Sequence, residues 1–314
     1  MIDIKKLPGF LIVGAPKCGT TSLYYYLNKH KKVFIPPKKE LYFFNNYNHL
    51  KKYKGPWKPL VISNLKSYKK AFEKSKINQI KGEGTVFYLY EYLRTIANIK
   101  KLYGKNYKEL KIIIMLRNPT ARAWSNYIHL RRDIKENLKF QQAINKKIIN
   151  TRLKKGWGPF YDYIGNSLYY NSIKYYLNTF KHVKIILFDD FVKSPLRITN
   201  EVLSFLELEG IDDKTFVNKA YNKTGEFQTN KRSLNLIYHL FKRSHVLKSI
   251  LRIFLNRKKR MKIESKFESF FSRFIKRKKM PKEYEKMIKH YFKKDLLKLA
   301  KLIPEKKETI NSWI

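Results

Sequence analysis

Four short runs constrain this chain more tightly than any other feature: "FLIVG" at 10–14, "QIKGE" at 79–83, "LKIIIML" at 110–116 and "VKIILF" at 183–188. Each is too short for a helix and reads as a buried strand. Helical stretches lie at 20–29, 64–75, 88–101, 119–132, 165–180 and 194–206. Strands separated by helices in this way form a parallel sheet covered on both faces. The expected fold class is therefore α/β, a parallel sheet flanked by helices. Two helix starts are marked directly. Asn118-Pro119 and Ser194-Pro195 each place a capping side chain before a proline at the first helical position.

After about residue 215 the pattern changes to helix and loop, with basic runs "NRKKRMK" at 256–262 and "IKRKKM" at 275–280. A last helix begins after Pro281, and Tyr284, Met287, Ile288, Tyr291, Leu296, Leu297 and Leu299 give it an apolar face for packing on the core. No Gly/Ser-rich linker interrupts the chain. The reading is one domain over 1–314, an α/β core at 1–214 with a helical C-terminal part at 215–314.

Lys+Arg of 69 against Asp+Glu of 24 gives a formal net charge of +45. AT-rich codons explain the abundant Lys, Asn, Ile, Tyr and Phe but not so few acids. The surplus predicts a field that attracts polyanions, acidic glycans or anionic membrane, and it says nothing about chemistry. Cys18 is the only cysteine, so an internal disulfide is impossible and a reducing compartment is expected. Neither a signal peptide nor a membrane-spanning apolar run is seen, which makes the cytoplasm the expected location. The basic run "VLKSILRIFLNRKKR" at 246–260 reads as a surface helix with the capacity to touch a membrane.

The first strand leads into "GAPKCGTTS" at 14–22, which almost spells a phosphate-binding loop. Gly14 and Gly19 are in place, but Thr20 holds the position where a nucleotide triphosphatase needs lysine, and the lysine sits three residues earlier at Lys17. Backbone N–H groups at the helix start, with the hydroxyls of Thr20, Thr21 and Ser22, are suited to an anion. Lys17 within the loop suits an oxygen on the 5′ side of a nucleotide rather than a triphosphate. A second anion site is "LRNPTARAWSNYIH" at 116–129, where a strand ends in Arg117 and Ser125 lies on the following helix. Arg117 with Ser125 suits a second phosphate. Arg122 is read as a structural ion pair and His129 as a surface or packing histidine. Cys18 reads as a small filler rather than a nucleophile.

Together, "PKCGTTSL" at 16–23 and "RNPTARAWSNY" at 117–127 resemble the two cofactor motifs of sulfotransferases that use 3′-phosphoadenosine-5′-phosphosulfate (PAPS). "PKKELYFF" at 37–44 is similar to a stretch of the heparan-sulfate-type branch and its bacterial relatives. "ISNLKSYKKAF" at 62–72, "KGEGTVFYL" at 81–89, "LYYNSIKYYLNTF" at 168–180 and the terminal "NSWI" also resemble that branch. The resemblance implies PAPS as sulfuryl donor and no metal. It implies that Lys17, Cys18, Gly19, Thr20, Thr21 and Ser22 hold the 5′-phosphosulfate, and that Arg117 and Ser125 hold the 3′-phosphate. It further implies that Glu40 is the general base and that Lys17 stabilises the leaving oxygen. Taken alone, Glu40 also fits a surface ion pair with Lys38 or Lys39. The segment at 82–88 departs from the branch, because Gly84 stands where some members carry an active-site lysine.

His30 and His49 are rival bases, each read as ordinary surface, and Lys231 with Arg232 is a candidate addition to the 3′-phosphate site. The expected acceptor is a carbohydrate or glycolipid, with basic surface available to an anionic polymer or membrane and no specific nucleic acid. The aromatic segments at 42–47 and 156–163 suit sugar stacking, although core packing is their commoner fate. Two rivals remain. A P-loop kinase or ATPase would use "KIILFDD" at 184–190, with Asp189 on magnesium; a basic nucleic-acid-binding protein would need only the charge.

Overall fold

The computed structural model describes residues 6–49, 52–217 and 278–314, with short pieces between 226 and 276. The basic runs at 246–262, and Lys231 with Arg232, lie outside the described residues. A five-stranded sheet forms the centre, built from β1 (Phe10–Gly14), β2 (Val33–Phe34), β3 (Ile80–Gly84), β4 (Lys111–Leu116) and β5 (Val183–Leu187). Its order is β2-β3-β1-β4-β5, and every pair within it is parallel. β1 is buried along its whole length, as its unbroken apolar sequence requires. The α/β expectation holds. β2 carries too short a run to be read from sequence; it exists because Val33 and Phe34 pair with Ile80 and Lys81.

The helices of the α/β part are α1 (Thr20–Lys29), α2 (Leu65–Lys70), α3 (Tyr92–Tyr103), α4 (Pro119–Arg132), α5 (Phe140–Ala143), α6 (Lys146–Lys154), α7 (Tyr170–Thr179), α8 (Phe188–Lys193) and α9 (Pro195–Phe205). α1 and α4 match their sequence-based bounds. α2 is shorter, because the chain closes in turns after Lys70, with Ser75 N–H bonded to the Phe72 carbonyl at 3.0 Å. α3 starts late because the preceding residues serve the sheet: Leu89 N–H bonds Val13 O at 2.8 Å. Asn118 caps α4 as expected, its side chain accepting from Ala121 N–H at 3.1 Å. Ser194 precedes α9 but makes no side-chain cap bond.

Two C-terminal helices follow, α10 (Lys282–Leu302) and α11 (Lys307–Asn311). α10 buries Ile288, Phe292, Leu296 and Leu299, whereas Leu297 is turned to solvent, outside the apolar face assigned to it. The Asp295 carboxylate accepts from the backbone N–H groups of Tyr169 and Tyr170 at 2.8–3.2 Å, so α10 fixes the start of α7. Trp313 donates from Nε1 to Asp189 at 3.4 Å.

Candidate active site

β1 is the central strand, and its C-terminal end faces the crevice where parallel sheets bind ligands. Ala15 N–H bonds Met115 O at 2.7 Å, tying the loop to β4. Lys17 (φ 68°) and Gly19 (φ 86°) are both left-handed. Such alternation turns successive N–H groups into one concavity, a nest for an anion. Gly19 is the N-cap of α1 and makes no side-chain cap bond. A Cβ on Gly19 would lie 3.1 Å from Phe188 and 3.2 Å from Phe191. Thr20 and Ser22 are buried against the loop and Thr21 is half-buried. The Cys18 side chain is fully buried, and burial pushes its thiol up to about 11. Only its backbone can face a ligand.

Arg117 follows β4 and donates from Nη1 to the Lys17 carbonyl at 3.2 Å, across a hundred residues of sequence. Its guanidinium lies 4.5 Å from the Phe188 ring centre, and its own carbonyl accepts from the Tyr169 hydroxyl at 2.9 Å. The loop and the arginine are thus one construction. Burial lowers the pKa of Lys17 to about 7, and the positive charges of Arg132, Arg117 and Lys39 add to the effect against Asp133. These positive groups repel one another.

His129, Arg132 and Asp133 belong to this electrostatic cluster, whereas the sequence alone marks His129 as a surface or packing histidine and does not mark the other two. Arg132 Nη2 lies 2.9 Å from His129 Nδ1. A guanidinium only donates, so Nδ1 accepts and the imidazole proton sits on Nε2. Burial holds His129 well below the usual histidine range, and the charge of Lys17 reinforces this. A signal for these residues existed in the sequence. Ser125, His129 and Arg132, spaced by four and three, form a polar stripe on a helix whose other residues are mostly buried.

Glu40 sits in the loop between β2 and α2. Its N–H bonds Gly84 O at 3.1 Å, and Tyr24 of α1 donates to Pro36 O, which clamps the loop beside α1. Lys39 Nζ is 2.8 Å from Glu40 Oε1. Glu40 therefore does pair with a lysine, and that lysine is one of the charges acting on Lys17. Behind the loop, Glu83 is buried and accepts from Tyr68 (2.9 Å), Tyr88 (2.9 Å) and Thr85. Burial raises its pKa to about 7, against those three hydroxyls. The Tyr88 oxygen also accepts from Phe43 and Phe44 N–H at 3.0 and 3.1 Å.

Other candidates fall elsewhere. Arg122 is fully buried, but it donates to Ser167 Oγ at 2.5 Å and Tyr163 O at 2.6 Å, neutral acceptors rather than the expected ion-pair partner. His30 is buried at the far end of α1 and accepts on Nδ1 from Lys32 N–H at 3.3 Å, while His49 is exposed. Residues 42–46 are buried in the core, as are Phe160, Tyr161 and Tyr163. Asp189 follows the end of β5 on α8 and is engaged by Trp313.

The family model described as "Sulfotransferase family" matches residues 8–213. The membrane-associated sulfotransferase kil1 of Dictyostelium discoideum is 24% identical over 320 residues, covering 76% of this chain. The chain spans 64% of that relative's length. The crystal structure of a sulfotransferase from Alicyclobacillus acidocaldarius is similar at 31% identity and a TM-score of 0.59, covering 75% of this chain and 91% of that one.

Proposed function

Because the chain belongs to the sulfotransferase family, we propose that it transfers the sulfuryl group of PAPS to a hydroxyl or amine of a carbohydrate-type acceptor. The observation that supports this reading most is the Arg117–Lys17 contact, which brings the second candidate anion site against the loop. The nest at Lys17–Ser22 would receive the 5′-phosphosulfate. Arg117 and Ser125 would receive the 3′-phosphate. Thr20 at the triphosphatase lysine position, and Asp189 engaged by Trp313, leave the kinase reading without its parts.

Sulfuryl transfer runs in line, so catalysis rests on positioning and on charge at the leaving oxygen. Lys17, charged once an anion is bound, stabilises the bridging oxygen as adenosine 3′,5′-bisphosphate leaves. Glu40 accepts the acceptor proton, a role that typically contributes about 10²–10⁴-fold. His129, neutral with its proton on Nε2, has a hydrogen bond to give and no charge to add. The positive charges of Arg132, Arg117 and Lys39 around Lys17 favour an acidic carbohydrate or glycolipid as acceptor. The charge of +45 and the kil1 relative's membrane-associated description support placement at a membrane surface. No helix among the described residues is long and apolar enough to cross one.

The test pairs calorimetry of adenosine 3′,5′-bisphosphate with transfer from ³⁵S-labelled PAPS to desulfated glycosaminoglycan oligosaccharides, chitosan oligomers and glycolipids. Arg117→Ala should weaken the bisphosphate by about 10- to 100-fold, the worth of a hydrogen-bonded charge. Glu40→Gln should leave that affinity intact and lower transfer by about 10²–10⁴-fold. Absence of bisphosphate binding by folded protein sinks the reading; transfer by Glu40→Gln at the wild-type rate removes the base.

A further inference from the structure

The Glu40 carboxylate is held by two donors that differ in freedom. Lys39 Nζ bonds Oε1 at 2.8 Å from a flexible stem. The Tyr42 hydroxyl donates to Oε2. Tyr42 is buried, stacked on Phe87 with ring centres 6.2 Å apart and met edge-on by Trp57 at 5.8 Å. Its backbone N–H bonds Thr85 Oγ1 at 3.2 Å, and Thr85 donates in turn to the buried Glu83. Glu40 (φ 65°) and Tyr42 (φ 56°) both adopt left-handed backbone, with Leu41 between them pinned by Ile62 N–H at 3.0 Å. Two unusual bends in three residues bring the phenol to the carboxylate, and conformations of this kind persist where the surroundings enforce them.

We propose that Tyr42 is the positioning residue of the base. Its hydroxyl anchors Oε2 and leaves Oε1 as the oxygen that exchanges Lys39 for the acceptor proton. This rests on the reading of Glu40 given above. As the acceptor oxygen or nitrogen forms its bond to sulfur, its bond to hydrogen breaks and the proton passes to Oε1. The bond from sulfur to the bridging oxygen breaks, and its electron pair stays on the departing 5′-phosphate. Lys39, released from Oε1, remains beside the charge that builds on the transferring group. The hydroxyl of Tyr42 takes no proton and gives none; it holds the carboxylate at one angle while the other contact changes.

Tyr42→Phe removes the hydroxyl and keeps the ring in its stack. On the fastest acceptor from the panel above, kcat should fall about 10- to 100-fold, the rate equivalent of one hydrogen bond to a charged group. KM for PAPS and bisphosphate affinity should stay within about twofold, because the Tyr42 hydroxyl bonds Glu40 and neither Lys17 nor Arg117. In a Glu40→Gln background the same change should have no further effect. A merely structural tyrosine would lower both backgrounds by the same factor, and that result overturns the proposal, as does an unchanged kcat. The contact itself is read by ¹³C NMR of labelled Glu and Tyr. The Glu40 carboxyl resonance, identified by its loss in Glu40→Gln, should move in Tyr42→Phe at fixed pH. The Tyr42 Cζ resonance should move in Glu40→Gln, which keeps the proposal exposed even if Tyr42→Phe folds poorly. Unmoved resonances refute the contact. A wild-type protein that transfers nothing, with resonances that do move, refutes the sulfotransferase reading instead.

Discussion

Anion binding at Lys17 should draw a proton from solution. In the free protein burial holds the lysine at about 7, with Arg132, Arg117 and Lys39 adding to the effect. A bound bisphosphate sets negative charge beside the ammonium, which outweighs the burial, and the pKa returns toward its ordinary value of 10.5. At pH 8 about nine-tenths of Lys17 is uncharged, so each bisphosphate bound should take up about 0.9 proton; at pH 7 the figure is about half. Affinity should fall roughly tenfold per pH unit above pH 7, since the protonated form binds. The ligand's phosphates are already ionised at pH 8, and His129, held neutral, would take up its own proton only toward acid pH. The assay is calorimetry at pH 8 in buffers of different ionisation enthalpy, whose slope counts protons. Lys17→Arg carries a permanent charge and should bind without uptake. Uptake near zero in the wild type, or undiminished uptake in Lys17→Arg, would refute a depressed pKa at Lys17.

Three further outcomes concern the scaffold. Glu136→Gln breaks a buried bidentate pair, Arg152 to Glu136 at 2.6 and 2.9 Å, and should cost about 3–5 kcal/mol in urea unfolding. The Glu136 carboxyl lies below its ordinary value of 4.5, with Arg152 the largest influence opposing burial, so its contribution is present above 4.5 and lost as pH falls through the folded value. Glu83 behaves oppositely: its pKa is raised from 4.5 to about 7, so its share of stability is full below 4.5 and is lost as pH rises to about 7. Glu83→Gln should flatten that part of the melting-temperature profile, and an unchanged slope would count against a buried, proton-binding Glu83. Gly19→Ala meets both φ 86° and the Phe188 ring, and should lose about 1–3 kcal/mol together with bisphosphate affinity; wild-type stability would mean the loop tolerates a side chain there.

What the chain states about itself is local. Four of the five strands, the span of α4 with its Asn118 cap, the Lys17 loop and Arg117 at the end of β4 are written in contiguous residues. Periodicity and turn chemistry act over a few positions, and a reader needs only that window. The misses are local signals overruled at a distance. Ser194 has the right side chain and makes no cap bond, and Leu297 fits an apolar spacing while the packing of α10 leaves it outside.

The tertiary structure alone decided what surrounds the loop. Lys39, Arg117, His129, Arg132 and Asp133 are scattered over almost a hundred residues, and only the central position of β1 between β3 and β4 brings them to one crevice. Their consequences are collective: a lysine whose pKa falls to about 7, a histidine fixed in one tautomer, a carboxylate shared between Lys39 and Tyr42. Such properties depend on burial and mutual distance, and neither exists along a chain until it folds.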